Sequence, residues 1–139
     1  MIAIVVSIFN KTITDRLLDG CIESLTENGV QKNKIKIVYV PGAFELPSKV
    51  QQLTKINNLN CIIALGCIIK GETDHYHYIS EAVTNGIMSV TLKKTEDSPH
   101  VIFGVLTCQN RELAYARSSD NDKNKGYEAG QAAIYQMNN

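Results

Sequence analysis

The sequence predicts an α/β fold, a three-layer α/β/α sandwich around a four-stranded parallel sheet. Two observations lead there. Four short apolar runs, 2–9, 35–40, 61–69 and 101–106, are each followed by a segment whose apolar residues recur at helical spacing, and the connections are short. The first and third runs are almost continuously apolar rather than alternating, as expected of strands covered by helices on both faces. The 139 residues suit a single domain, 1–139, able to bury roughly 68% of the surface its unfolded chain exposes.

Taken in order, Ile2 to Phe9 reads as the first strand. Thr14 or Asp15 is expected to cap a helix carrying Leu18, Cys21, Ile22 and Leu25 on one face, with Gly29 as its stop. Ile35 to Val40 is the second strand. The turn Pro41-Gly42-Ala43 leads into a helix that opens near Glu45, with Pro47 in its first turn and Leu46, Val50 and Leu53 facing inward. Cys61 to Ile69 is the third strand, interrupted by Gly66. From Thr73 a longer helix carries Ile79, Ala82, Val83, Gly86, Ile87 and Val90; Gly86 costs it about 1 kcal/mol relative to alanine and blurs its far end. Lys93 to Pro99 is polar and turn-like, and Val101 to Leu106 is the fourth strand. Two helices close the chain, about Asn110 to Arg117 and about Tyr127 to Met137.

Composition removes several classes of function. Lys plus Arg and Asp plus Glu each number 14, so no net field recruits a polyanion, and nucleic acid is not an expected partner. The opening apolar run has no basic region before it and no small-residue cleavage site after it. No run approaches the roughly 18 apolar residues of a membrane span, so the chain is read as cytoplasmic with no membrane partner. Cys21, Cys61, Cys67 and Cys108 sit in apolar surroundings without a C-x-x-C pair, the pattern of buried free thiols rather than a disulfide framework or zinc site.

In a parallel sheet of this kind the site lies beyond the carboxyl ends of the strands. There the chain places Phe9-Asn10, then Pro41-Gly42-Ala43-Phe44-Glu45, then Lys70-Gly71-Glu72-Thr73-Asp74-His75, and finally Thr107 with Arg117 and Lys125 further on. These groups are expected to converge on one rim. Gly71 to Thr73 at a helix start would present free N–H groups to an anion such as phosphate; alternatively, Thr73 is simply an N-cap. His75 in the first helical turn is the candidate acid/base, while His77 falls on another face, which makes a two-histidine metal site poor geometry. Arg117, four residues after Leu113, is expected on the apolar side of its helix and therefore to meet an anion, or else to answer the helix C-terminus. Lys125 is either a ligand or solvated. Glu45 is a hydrogen-bond acceptor or a helix-dipole partner, and Phe9 and Phe44 are stacking surfaces or core. No G-x-G-x-x-G, Walker-type lysine loop or G-x-S-x-G elbow occurs.

Four stretches in order, Pro41-Gly-Ala-Phe-Glu-Leu-Pro47, Gly66-Cys-Ile-Ile-Lys-Gly-Glu-Thr-Asp-His75, Phe103-Gly-Val-Leu-Thr107 and Asn124-Lys-Gly-Tyr-Glu-Ala129, resemble the lumazine synthase family from Ile2 to about Met137. The resemblance implies condensation of 5-amino-6-(D-ribitylamino)uracil with 3,4-dihydroxy-2-butanone 4-phosphate to 6,7-dimethyl-8-ribityllumazine, with release of phosphate and water and with no cofactor or metal. It implies that Phe9 stacks on the pyrimidine, and that Asn10 and Ala43, Phe44 and Glu45 hold the ring and ribityl chain. By the same resemblance Gly71, Glu72 and Thr73 hold the phosphate with Arg117, and His75 is the acid/base. Gly42, Cys67, Ile68, Ile69 and Lys70 complete the expected substrate-contacting set. In that family each site lies between neighbours of a homopentameric ring, with residues matching Phe103, Arg117 and Lys125 supplied by the adjacent chain, and some members assemble 60-subunit shells. The chain departs from the family pattern at His77, at 118–123 and at 93–99. The rival readings are an archaeal-type riboflavin synthase, which would dismutate two lumazines, and a non-catalytic flavin- or lumazine-binding shell protein.

Overall fold

A computed structural model describes residues 1–139. The elements run β1 (Ile2–Ser7), α1 (Lys11–Glu27), β2 (Ile35–Val40), α2 (Leu46–Leu53), β3 (Cys61–Ile69), α3 (His75–Leu92), β4 (His100–Cys108), α4 (Arg111–Ala116) and α5 (Lys125–Asn138). The strands form one all-parallel sheet in the order β2-β1-β3-β4. The two almost continuously apolar runs are therefore the two central strands, and every residue of β1 is buried.

Alternation along these strands builds two cores. Ile2, Ile4 and Val6 of β1 and Cys61, Ile63, Leu65 and Cys67 of β3 face α1, α4 and α5. Ala3, Val5, Ile62, Ala64 and Ile68 face the opposite way, onto Leu46, Val50 and Leu53 of α2 and Val83, Ile87 and Val90 of α3. Helices thus cover both faces, as a strand apolar on both sides requires. Each fully buried Ile, Leu or Val contributes about 1.5–3 kcal/mol relative to exposure.

Several boundaries differ from the sequence expectation, each for a local reason. β1 ends at Ser7 rather than Phe9, and α1 begins at Lys11, with Asn10 in the N-cap position, instead of after Thr14 or Asp15. Lys11 ion-pairs with Asp15 at 2.8 Å inside the first turns, and Thr14 is buried, so neither expected cap is free to end the helix there. At the other end Gly29 stops α1 as expected, with φ 90°. Val30 N–H donates to the Leu25 carbonyl and Gly29 N–H to that of Thr26, the paired bonds of a Schellman stop. α5 starts at Lys125, two residues early, because the Asn124 side chain accepts from Tyr127 N–H at 2.9 Å and caps it.

Gly86 does not end its helix, because α3 continues to Leu92. A Cβ there would lie 2.9 Å from Pro47 Cβ and Cγ, so the glycine lets α3 lie close against the start of α2. Gly126 serves the other layer in the same way: a Cβ would overlap the Leu17 backbone, and α5 could not approach α1. No helix is long and apolar enough to cross a membrane.

Candidate active site

The carboxyl ends of β1, β2 and β3 and the start of α3 enclose an open cleft of about 440 Å³. It is lined by Phe9 and Asn10, by Gly42, Ala43, Phe44 and Glu45, by Cys67, Ile68 and Ile69, and by His75, Tyr76 and Ile79. All but Tyr76 and Ile79 were expected from sequence as site residues. Those two follow His75 by one and four positions on α3, where the helical spacing of Ile79 predicts only a core role.

Backbone geometry explains why these groups reach the cleft. Pairing of the first two segments outlasts the strands: Ile8 N–H donates to the Val40 carbonyl at 2.8 Å and Phe9 N–H to that of Pro41 at 3.0 Å. Phe9 is thus held by its main chain while the residue stays 72% exposed, and Phe44 is 61% exposed. Neither ring is core. Large aromatic faces left open in a concave site are binding surface for something flat and apolar.

Asn10 has left-handed backbone, φ 62° and ψ 45°, which asparagine tolerates better than most residues, and this turns the chain from β1 into α1. Its side chain makes no cap bond. Instead Nδ2 donates to the Cys67 carbonyl at 3.1 Å, two residues past Val6–Leu65, the last β1–β3 pair. The side chain takes over where strand pairing stops. Glu45 is half-buried; its Oε1 would lie 3.6 Å from a Cβ at Gly42, and its carboxylate has no ion-pair partner. It remains an available acceptor.

His75 is the first residue of α3, and its N–H reaches Thr73 Oγ1 only at a long 3.4 Å. Asp74, in the N-cap position, makes no side-chain cap bond. The backbone N–H groups of Gly71, Glu72 and Thr73 find no acceptor within the chain, and Gly71, Glu72, Thr73 and Asp74 are exposed beside the cleft. Lys70 precedes them, its N–H tied to the Cys108 carbonyl at 2.9 Å. His77 packs edge-on to Tyr76, with ring centroids 5.2 Å apart, and does not line the cleft. Burial, and secondarily Cys108, pushes the Cys67 thiol up to about 12 against a smaller opposing effect of Arg111. It stays protonated near neutral pH and forms floor rather than nucleophile. No group of three or more His, Cys, Asp or Glu side chains is placed to hold a metal.

The cations lie elsewhere, which corrects the expectation of a single rim. Arg117 and Lys125 line a second open cleft of about 440 Å³ along β4, with Thr107, Gln109, Leu113, Lys123 and Glu128. Lys125 Nζ lies 3.4 Å from Glu128 Oε1, and Arg117 has no ion-pair partner. Nor is Arg117 on an apolar side of its helix, as its spacing predicts: Leu113 is 43% exposed and Arg117 is exposed, so no apolar burial forces the guanidinium onto an anion within one chain. Phe103 lines neither cleft and packs half-buried against the α2–α3 core.

Fold and site together define an α/β enzyme of small molecules, with an aromatic-walled cleft at the carboxyl edge of a parallel sheet and unsatisfied N–H groups beside it. The family model described as 6,7-dimethyl-8-ribityllumazine synthase matches residues 1–139. A 6,7-dimethyl-8-ribityllumazine synthase of Coxiella burnetii (strain CbuG_Q212) is 44% identical over 133 residues, 96% of this chain and 86% of its own. One of Pediococcus pentosaceus (strain ATCC 25745 / CCUG 21536 / LMG 10740 / 183-1w) is 44% identical over 127 residues, 91% of this chain and 80% of its own. The chain belongs to the 6,7-dimethyl-8-ribityllumazine synthase family, transferases of riboflavin biosynthesis.

Proposed function

We propose that residues 1–139 act as one cytoplasmic catalytic domain whose active site is completed by a neighbouring copy. The observation that carries this reading is the division of the polar groups: ring-binding and proton-transfer residues share one cleft, while Arg117 and Lys125 line another. A phosphorylated substrate needs both sets, so the second cleft of one subunit meets the Gly71 loop of the next. Phe103, Arg117 and Lys125 then come from the neighbour, in a homopentamer. A Cβ at Gly71 would meet nothing within 4 Å in the single chain. Its absence is accounted for by close approach of the ligand to the backbone, a common use of glycine.

In this reading the pyrimidine lies on Phe9 between the walls of the cleft, and Asn10 and Ala43 to Glu45 hold the ring and ribityl chain. The free N–H groups of Gly71, Glu72 and Thr73 and the neighbour's arginine grip the phosphate of the butanone. The 5-amino group attacks the ketone carbon, and water leaves as the imine forms. Phosphate is then eliminated, the resulting enol gives a second carbonyl, and the ribityl-bearing amine attacks it, closing the ring with loss of a second water. No side-chain nucleophile is required, in keeping with a protonated Cys67. His75 carries protons between the reactants, a role worth about 10² to 10⁴-fold, and orientation supplies much of the rest.

The test mixes purified protein with both substrates and follows product absorbance. Formation of lumazine with release of one phosphate is the expected result. Flavin formed from lumazine alone would assign the archaeal-type riboflavin synthase reaction instead, and absence of both would leave a binding protein. Dilution should extinguish activity as the assembly dissociates; a fully active monomer would overturn the shared site.

A further inference from the structure

The second cleft holds a cation that neither the motifs nor the resemblance singled out. Lys123 lines it together with Arg117 and Lys125. Its loop is built to hold it there: Lys123 N–H donates to Asn121 Oδ1 at 2.8 Å, while Asn121 Nδ2 donates to the Ala116 carbonyl at 3.2 Å. Lys125 N–H, on the far side of the loop, donates to the Arg117 carbonyl at 2.7 Å. The loop is thus tied through Asn121 to Ala116 and closed at its base by a bond between the two residues that carry the other cations.

Three cations share the cleft with one carboxylate, Glu128, which lies 3.4 Å from Lys125. Two positive charges are left in excess, on Arg117 and Lys123. The loop's own acids do not cancel them: Asp120 lines a different hollow with Arg16 and Asp19, and Asp122 forms no ion pair. A phosphate monoester carries nearly two negative charges above its second pKa of about 6. Without Lys123 the excess would be a single charge against a dianion.

We propose that Lys123 is a specificity-determining residue for the phosphorylated substrate, the second unpaired charge of its phosphate subsite, held in register by Asn121. This rests on the shared-site reading above, so the experiment separates the two. KM for each substrate and kcat are measured for Lys123→Gln, Lys123→Arg and Arg117→Ala in the assembled protein, at pH 7.5 and near pH 5.5, with inorganic phosphate as competing probe.

Lys123→Gln should raise KM for the phosphorylated ketone roughly 10- to 150-fold at pH 7.5, the size expected for one charged hydrogen bond. KM for the pyrimidine and kcat should hold, phosphate should inhibit correspondingly less, and Lys123→Arg should restore most of the loss. Near pH 5.5, where the ester is mainly a monoanion, the gap to wild type should narrow. If Arg117→Ala raises that KM and Lys123→Gln does not, Lys123 is merely solvated and this proposal fails alone. If neither variant moves it, the phosphate site itself is misplaced. A Lys123→Gln defect that is equal at both pH values, or that falls on kcat and both substrates, would mark a structural role and also overturn the proposal.

Discussion

Asparagine at position 10 bridges β1 and β3 where their backbone pairing has ended, and removing only its donor tests whether that bridge shapes the cleft. Asn10→Asp keeps the size and the tolerance for left-handed backbone, yet replaces Nδ2, 3.1 Å from the Cys67 carbonyl, with an acceptor. Two acceptors then face each other. The lost hydrogen bond and the unsatisfied carbonyl should together cost about 1–3 kcal/mol. At this chain length that corresponds to a fall in Tm of roughly 4 °C per kcal/mol. Asn10→Ala should cost about 1–2 kcal/mol more, because alanine also resists φ near +60°. Urea titration reports the change as a lower midpoint at constant slope. Since Phe9 precedes Asn10 directly, KM for the pyrimidine should rise in both variants. The introduced carboxylate also has a pH signature. Its ionised form is disfavoured in the fold, so its folded pKa lies above its unfolded value near 4. Asn10→Asp should therefore recover toward wild type as pH falls through the raised pKa, with recovery complete below about 4, and the deficit should be full above the raised pKa. Wild-type stability for Asn10→Asp at pH 7, with no relative change in acid, would refute the bridge.

Three further outcomes follow from named contacts. His75→Asn should lower kcat by about 10²-fold without abolishing turnover, because orientation of the two substrates survives; an unchanged kcat in single-turnover measurement would remove His75 from proton transfer. Gly126→Ala should destabilise by about 2–4 kcal/mol despite the roughly 1 kcal/mol that alanine adds to helix propensity, since its Cβ overlaps the Leu17 backbone and forces α5 off α1; a thermal melt no lower than wild type would contradict that packing. His100 accepts from Lys94 Nζ at 2.6 Å, and burial followed by that charge lowers its pKa below the ordinary 6.5. The unfolded chain then binds the proton more readily, so stability rises with pH through the window just below 6.5 and is lost as pH falls through it. His100→Asn should flatten the dependence between pH 7 and 5, and an equally steep profile would argue against it.

Much of the layer architecture was legible in the residues because burial on both faces writes an unambiguous pattern. Ile2 to Val6 and Cys61 to Ile69 are nearly unbroken apolar runs, and they prove to be the central strands. The cleft was legible too, because in a parallel sheet the residues just after β1, β2 and β3 must emerge at one edge. Helix starts were less so: Asn10 and Asn124 open α1 and α5 through backbone conformation and side-chain reach, which depend on the strand and loop beside them.

Local sequence determined the strands, the helix faces and the order of groups along the rim, since each depends on spacing within a few residues. Only the tertiary structure decided that Arg117, Lys123 and Lys125 occupy a cleft apart from Phe9 and His75, and that Gly86 and Gly126 are contact points rather than weaknesses. Both depend on the distance between elements far apart in the chain, which the packing of side chains against backbone sets and no periodicity encodes.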